Sequence, residues 1–149
     1  MQEGTFVFQG LARPVKEFDA DELIAACNGQ LADAAQAVFP AFRHAAVAAK
    51  TNQAVRFLEW NNLARMPRER DPLGLVETRA GKAHVKVELP PLSEVLRAFH
   101  EKVDAAGTGR LQGAFVQDFF AGPPYGWSKD TTRYLCATLL VAGEVELHT

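Results

Sequence analysis

Residues 122–149 constrain the fold more tightly than any other stretch of the chain. They read Gly-Pro-Pro-Tyr-Gly-Trp-Ser, then Lys129 to Ala142, then Gly143, then Glu-Val-Glu-Leu-His. Pro123 and Pro124 cannot continue a preceding helix, because proline has no amide donor and crowds the turn before it. Ser128 can cap a new helix by accepting an amide hydrogen bond, and Asp130 in its first turn suits the positive end of the helix dipole. Leu135, Leu139 and Ala142 then share one face. Gly143 supplies the left-handed residue common just beyond a helix end. Alternation of Val145 and Leu147 with Glu144, Glu146 and His148 predicts a closing strand over residues 144–148.

Upstream, Leu92, Val95, Leu96, Phe99 and Val103 recur at spacings of three and four, with Glu94, Arg97, Glu101 and Asp104 opposite, which predicts an amphipathic helix. Gly107-Thr108-Gly109 ends it. Leu111, Phe115 and Phe119 predict a shorter helix in spite of Gly113, and alternating Val85 and Val87 predict a strand over residues 84–89. Strand, three helices and strand make a winged-helix-like unit over residues 83–149.

The N-terminal part, residues 1–82, reads as a helical subdomain with one short strand at residues 5–8, interrupted by Gly10 and Pro14. Asp19 with Glu22 resembles a capping box, and Ile24, Cys27, Leu31, Ala35 and Val38 continue along one helical face up to Pro40. A second helical segment is expected over residues 41–50. A third is expected after Asn52, carrying Val55, Leu58 and Leu63. Residues 66–81, punctuated by Pro67, Pro72, Gly74 and Gly81, read as a connection between the two parts. The fold class expected is therefore mainly α with small β elements: a helical N-terminal half and a C-terminal winged-helix-like unit.

Composition bounds the function. With 149 residues and 48% hydrophobic content, the chain can bury one good core or two small ones. No apolar run approaches the roughly 20 residues needed to span a bilayer, so no membrane partner is expected. The N-terminus lacks the basic and apolar regions of a secretory signal, and Cys27 and Cys136 form no disulfide framework or paired metal motif. A cytoplasmic location is expected, with both cysteines packed as small hydrophobes. The net charge of −2 conceals an asymmetry: residues 1–40 hold two bases and six acids, and residues 41–70 hold six bases and two acids. A uniformly basic nucleic-acid coat is excluded, whereas a local anion-contacting surface is not.

The Pro-Pro-Tyr-Gly-Trp-Ser-Lys-Asp segment, Arg133-Tyr134-Leu135 and the Leu139-Leu140-Val141-Ala142-Gly143-Glu144-Val145-Glu146 ending resemble a region of large bacterial P-loop ATPases of bacteriophage-exclusion and phage-growth-limitation systems. The similarity covers residues 90–149 best, and extends more weakly to Val38-Phe39-Pro40-Ala41-Phe42 and Asp71-Pro72-Leu73. It implies a non-catalytic segment working with other subunits or domains of an antiviral defence complex. The motor itself is missing. Between Gly74 and Gly81 the spacing is six residues where a phosphate-binding loop has four, and Ala83 stands where a magnesium-holding Ser or Thr belongs.

No metal site, cofactor or enzymatic activity is expected. His44, His84, His100 and His148 form no close ligand pair, and neither Ser93 nor Ser128 sits in a nucleophile elbow. Two groups of residues are candidates for contacting duplex DNA or a protein partner. Arg56, Trp60, Arg65, Arg68 and Arg70 form a cationic stretch with a stacking group. Tyr125 and Trp127 either offer a platform or anchor the turn, and Lys129 and Arg133 lie with Ala137 on the helix face expected to point outward, as in a major-groove recognition helix. A non-catalytic binding module is the leading expectation. A stand-alone winged-helix transcriptional regulator is the alternative.

Overall fold

A computed structural model describes residues 4–8, 11–15, 20–107 and 109–148. The chain divides into two units, Met1–Pro40 and Ala41–Thr149. This boundary differs from the expected one at residues 82 and 83. Its physical reason is that Ala41, Ala45, Phe57 and Leu75 belong to the same buried core as Leu92, Val95, Leu135 and Leu139. Asp19, the expected helix cap, lies outside the described residues.

In the first unit, β1 (Gly4–Phe8) pairs antiparallel with β2 (Leu11–Val15), with Thr5 opposite Pro14. Pro14 therefore lies within a strand instead of breaking one, which a two-stranded ribbon permits because each strand has an open edge. The helix α1 (Ala20–Val38) follows. It has the expected length and period, yet Ile24, Cys27 and Leu31 are exposed. Cys27 is thus no core residue.

The second unit is built around the helix α5 (Lys129–Ala142), whose Thr131, Thr132, Tyr134, Leu135, Ala137, Thr138 and Leu139 are all buried. Its neighbours are α2 (Gln53–Leu58), α3 (Pro90–Ala106), α4 (Gly113–Ala121) and the strand β4 (Lys82–Val85). Both local signals that define α5 are realised: Ser128 Oγ accepts from Thr131 N at 3.0 Å, and Gly143 takes φ 79°. Gly107 ends α3 in the same way, at φ 63°.

β4 pairs antiparallel with β3 (Val76–Arg79), with Arg79 opposite Lys82 across a two-residue turn. Ala80 and Gly81 both have positive φ, at 50° and 77°, the signature of the turn whose twist matches a β-hairpin. The stretch expected to be a mere connection thus holds a strand. The expected strand at residues 84–89 is replaced by β4, which ends at Val85. Residues 144–148 form no strand, and β4 takes β3 as its partner within residues 76–85. The mainly helical class holds, with two small two-stranded sheets.

Two further expectations differ. Residues 41–50 form only a 3-10 turn at Phe42–Ala45, and Leu63 lies in a second such turn, Leu63–Arg65, instead of in α2. On α2 the inward face carries Gln53 and Phe57, while Val55 and Leu58 are exposed. The reason is tertiary: Phe57 sits edge-on to Tyr134 at 5.6 Å between ring centres, and aromatic burial of that size outweighs the two smaller aliphatic residues.

Asp71 joins these elements. Its Oδ1 accepts from Leu75 N and its Oδ2 from Val76 N, each at 2.8 Å, and Oδ1 also accepts from the Tyr134 hydroxyl. Burial, followed by the bond to Asp71, pushes the Tyr134 hydroxyl well above its usual titration range. We expect Tyr134→Phe to cost about 1–3 kcal/mol and Asp71→Ala about 3–5 kcal/mol, since the latter strands three buried donors. Urea midpoints of the two variants check this, with the larger drop expected for Asp71→Ala.

Candidate interaction surfaces

The cationic stretch of residues 56–70 is shaped by α2 and the loop after it. Gln53, buried on the first turn of α2, donates through Nε2 to Glu69 O at 3.0 Å and to Arg70 O at 2.8 Å. Arg70 Nη1 donates back to Arg56 O, and its guanidinium lies 4.8 Å from the Trp60 ring centre. Trp60 Nε1 donates to Asn62 O at 2.7 Å. Arg56, Trp60 and Arg70 are therefore brought together, but the geometry closes a loop instead of opening a platform. Arg70 spends its charge on a ring and a carbonyl. Arg65 and Arg68 remain exposed.

Tyr125 and Trp127 point inward. Trp127 is 1% exposed, stacks on Phe120 at 5.3 Å with the rings 9° apart, and donates through Nε1 to Ala41 O at 3.3 Å. Tyr125 packs on Phe120 at 4.7 Å and on Trp127 at 4.8 Å. Return bonds complete the turn: Ala41 N donates to Pro124 O at 3.1 Å, and Trp127 N to Phe120 O at 2.9 Å. Both aromatic residues anchor the turn, as large ring surfaces do where burial is available. Both are buried, which leaves little of either ring at the surface.

The outward face expected on α5 is narrower than the sequence suggested, because Ala137 is buried. The exposed stripe comprises Lys129, Arg133 and Leu140, and each cation has an acidic partner. Lys129 Nζ lies 2.8 Å from Asp118 Oδ1, and Arg133 Nη1 lies 3.0 Å from Asp130 Oδ1. Such exposed pairs are weak, but they lower the field that a phosphate backbone would meet.

Elsewhere, His44 Nδ1 lies 2.7 Å from Glu94 Oε1 and links the first 3-10 turn to α3. Among the described residues no group of three or more His, Cys, Asp or Glu side chains could hold a metal ion. No described helix is long and apolar enough to cross a membrane. A shallow depression between α3 and α4, lined by Phe99, Leu111, Phe115 and Phe119, has no interior space for a ligand.

Surface of a different kind lies on α1. Ile24 is 63% and Leu31 is 56% exposed, and Cys27 is exposed between them. Residues 24, 27 and 31 fall on one side of a helix of 19 residues, so the apolar side chains form a stripe, on a helix whose described side chains are exposed or half-buried all round. The helical periodicity of the sequence contained this stripe. Sequence reasoning missed Asp71 and Gln53 as organising groups, although Asp-Pro-Leu-Gly is a recognisable turn in which an aspartate can receive the following amides.

Comparison with protein-family models, with curated proteins and with solved structures yields no match.

The anchoring geometry predicts that Trp127→Ala lowers stability by about 3–5 kcal/mol, because it empties a closed aromatic site. Thermal or urea unfolding measures this directly. The thiols should also separate. Burial pushes Cys136 up to about 11, whereas Cys27 is exposed. A chromogenic disulfide reagent at pH 8 should therefore titrate one fast thiol per chain, assignable to Cys27 by its loss in Cys27→Ser.

Proposed function

We propose that this chain is a non-catalytic protein-interaction module whose contact element is α1. The observation that carries the reading is the exposed apolar stripe of Ile24, Cys27 and Leu31. The helix has Asp21, Glu22 and Asp33 and no Lys or Arg between residues 20 and 38, which suits neither phosphate nor an anionic lipid surface. Apolar burial against protein is the interaction left to it. On the resemblance of residues 90–149 to phage-defence ATPases, the module belongs to a cytoplasmic antiviral complex. The winged-helix relationship is retained in this proposal for the helices α3 to α5.

Duplex DNA is the second reading, favoured by the exposed Arg65 and Arg68. As part of either assembly or a stand-alone regulator, that surface would bind with strong salt dependence, because phosphate contacts release counterions.

Purified chain mixed with the purified products of the genes beside its own should co-elute with one of them on size exclusion. Leu31→Asp should abolish the complex while leaving the circular dichroism spectrum unchanged. Absence of any complex with those products would count against the defence assignment, and an unaffected Leu31→Asp complex would count against α1. Titration of a labelled duplex at two salt concentrations should show no salt-sensitive binding at micromolar protein. A steep salt slope, lost in Arg65→Ala with Arg68→Ala, would establish the second reading instead.

A further inference from the structure

We propose that the β3–β4 hairpin and the 3-10 turn beside it form a second contact surface, which takes an acidic, extended peptide segment of a partner protein. The inference goes beyond the α1 reading, because the hairpin belongs to the other unit and works by charge instead of apolar burial.

The pleat sorts the hairpin into two faces. Val76 and Val85 stand opposite one another and pack against the core. On the same face Thr78, opposite Ala83, donates its hydroxyl to Ala64 O at 2.9 Å. That bond seats the turn Leu63–Arg65 against β3 and brings the exposed Arg65 beside the hairpin. The other face carries Glu77 opposite His84 and Arg79 opposite Lys82, and of these Arg79, Lys82 and His84 are exposed. Lys86, half-buried, donates its amide to Leu75 O at 2.8 Å and so continues the row of Lys82 and His84. Arg68 lies at the foot of the hairpin: its Nη1 is 3.2 Å from the position a Cβ would take at Gly74, two residues before β3.

These cations differ from those on the helices in what already engages them. Arg97 on α3 and Lys129 and Arg133 on α5 each have an acidic partner. Around the hairpin Arg79 is paired with Glu77, whereas Arg65, Arg68, Lys82 and Lys86 form no ion pair among the described residues. The positive field of the hairpin is therefore directed outward, toward an anion supplied from elsewhere.

Extent and pattern select a peptide over a nucleic acid. Four residues of strand span only about 13 Å, so the surface meets few anionic groups, and a handful of phosphate contacts on a chain of net charge −2 gives duplex DNA little affinity. Glu77 adds a fixed carboxylate to the same face, which opposes an unbroken line of phosphates. An extended peptide answers both conditions. Its alternate side chains share a face at intervals of about 6.8 Å, the interval from Lys82 to His84 and on to Lys86, and neutral residues can stand where Glu77 lies. None of Glu77, Arg79, Lys82 and His84 is apolar, so the contact is ionic and screened by salt. It steers encounter and partner choice more than it adds affinity.

The test uses the full chain and a fluorescein-labelled peptide of about eight residues alternating Glu and Ser, followed by fluorescence anisotropy. Binding is expected in the submillimolar range at about 20 mM salt and should weaken several-fold at about 200 mM, where the screening length is much shorter. Lys82→Glu combined with Arg65→Glu should weaken it at least about tenfold with an unchanged circular dichroism spectrum, since both residues are exposed. Glu77→Gln should tighten it, because it removes the acid and frees Arg79. The same peptide with Gln in place of Glu should not bind. No binding of the Glu peptide up to several millimolar at low salt would overturn the proposal, and so would binding that the double variant leaves intact. Tighter binding of a labelled duplex than of the peptide, lost in the same double variant, would overturn it in favour of phosphate. Leu31→Asp should leave peptide binding unchanged, so failure here and failure of the α1 reading are separately visible.

Discussion

The buried carboxylate of Asp71 is the constraint on which the second unit depends. A carboxyl group removed from water is tolerated only when it is hydrogen-bonded, and here two backbone amides and the Tyr134 hydroxyl supply the bonds. The consequence is geometric. The amides belong to Leu75 and Val76, so the carboxylate fixes where β3 begins, and the hydroxyl belongs to α5, so it fixes β3 against the central helix. Phe57 then closes on the Tyr134 ring, which locates α2. Gln53, one turn earlier on α2, holds the carbonyls of Glu69 and Arg70 and thereby returns to the loop that carries Asp71. Three segments distant in sequence are coupled through one side chain.

A second anchor works by shape. Phe120, Tyr125 and Trp127 form a compact aromatic set, and Trp127 reaches Ala41 at the start of the unit. Together the two anchors show residue types that suggest recognition engaged in internal contacts. Arginine and tryptophan are common at binding surfaces because they combine large area with directional donors. The same properties make them effective internal clasps: Arg70 on Trp60 and Arg56, and Trp127 on Phe120. A linear sequence displays the chemistry of a side chain but not which groups have already consumed it.

The features legible in the sequence were those settled within a few residues. The Ser128 cap, the Gly143 and Gly107 stops and the stripe of α3 all appear as expected, because each is decided by neighbours one or two turns away. What failed required knowing a distant partner. Glu144 to His148 has the alternation of a strand, yet alternation supplies only a face and not a partner; β4 takes β3, which the turn at Ala80 and Gly81 delivers to it directly. Val55 and Leu58 are apolar yet exposed, because the inward side of α2 is the one on which Phe57 meets Tyr134, a residue no local window contains. Of the candidate contact residues, Arg65 and Arg68 are exposed, Arg56 on α2 lends its carbonyl and Trp60 its ring to Arg70, and Tyr125 and Trp127 are buried. The α1 stripe was visible as a period, but its exposure was not, since a period reveals that a face exists and not what covers it.

The contrast between α1 and α5 bears on what each helix needs. α5 is held on nearly every side, so even its hydroxyls are satisfied internally: Thr131 by Val47 O, Thr132 by Ser128 O and Thr138 by Tyr134 O. A helix so enclosed keeps only the stripe of Lys129, Arg133 and Leu140 at the surface. α1 has the opposite condition. Its interior holds Asn28 and Gly29, and no side chain or backbone lies within 4 Å of the position a Gly29 Cβ would occupy, so the glycine is not required there by packing. Most helical stability in proteins comes from packing one face and not from propensity, and an internal glycine costs about 1 kcal/mol more than alanine. Stability for such a helix comes from covering its apolar side. Ile24 and Leu31 leave that side of α1 uncovered among the described residues, and the proposed interaction rests on this uncovered side.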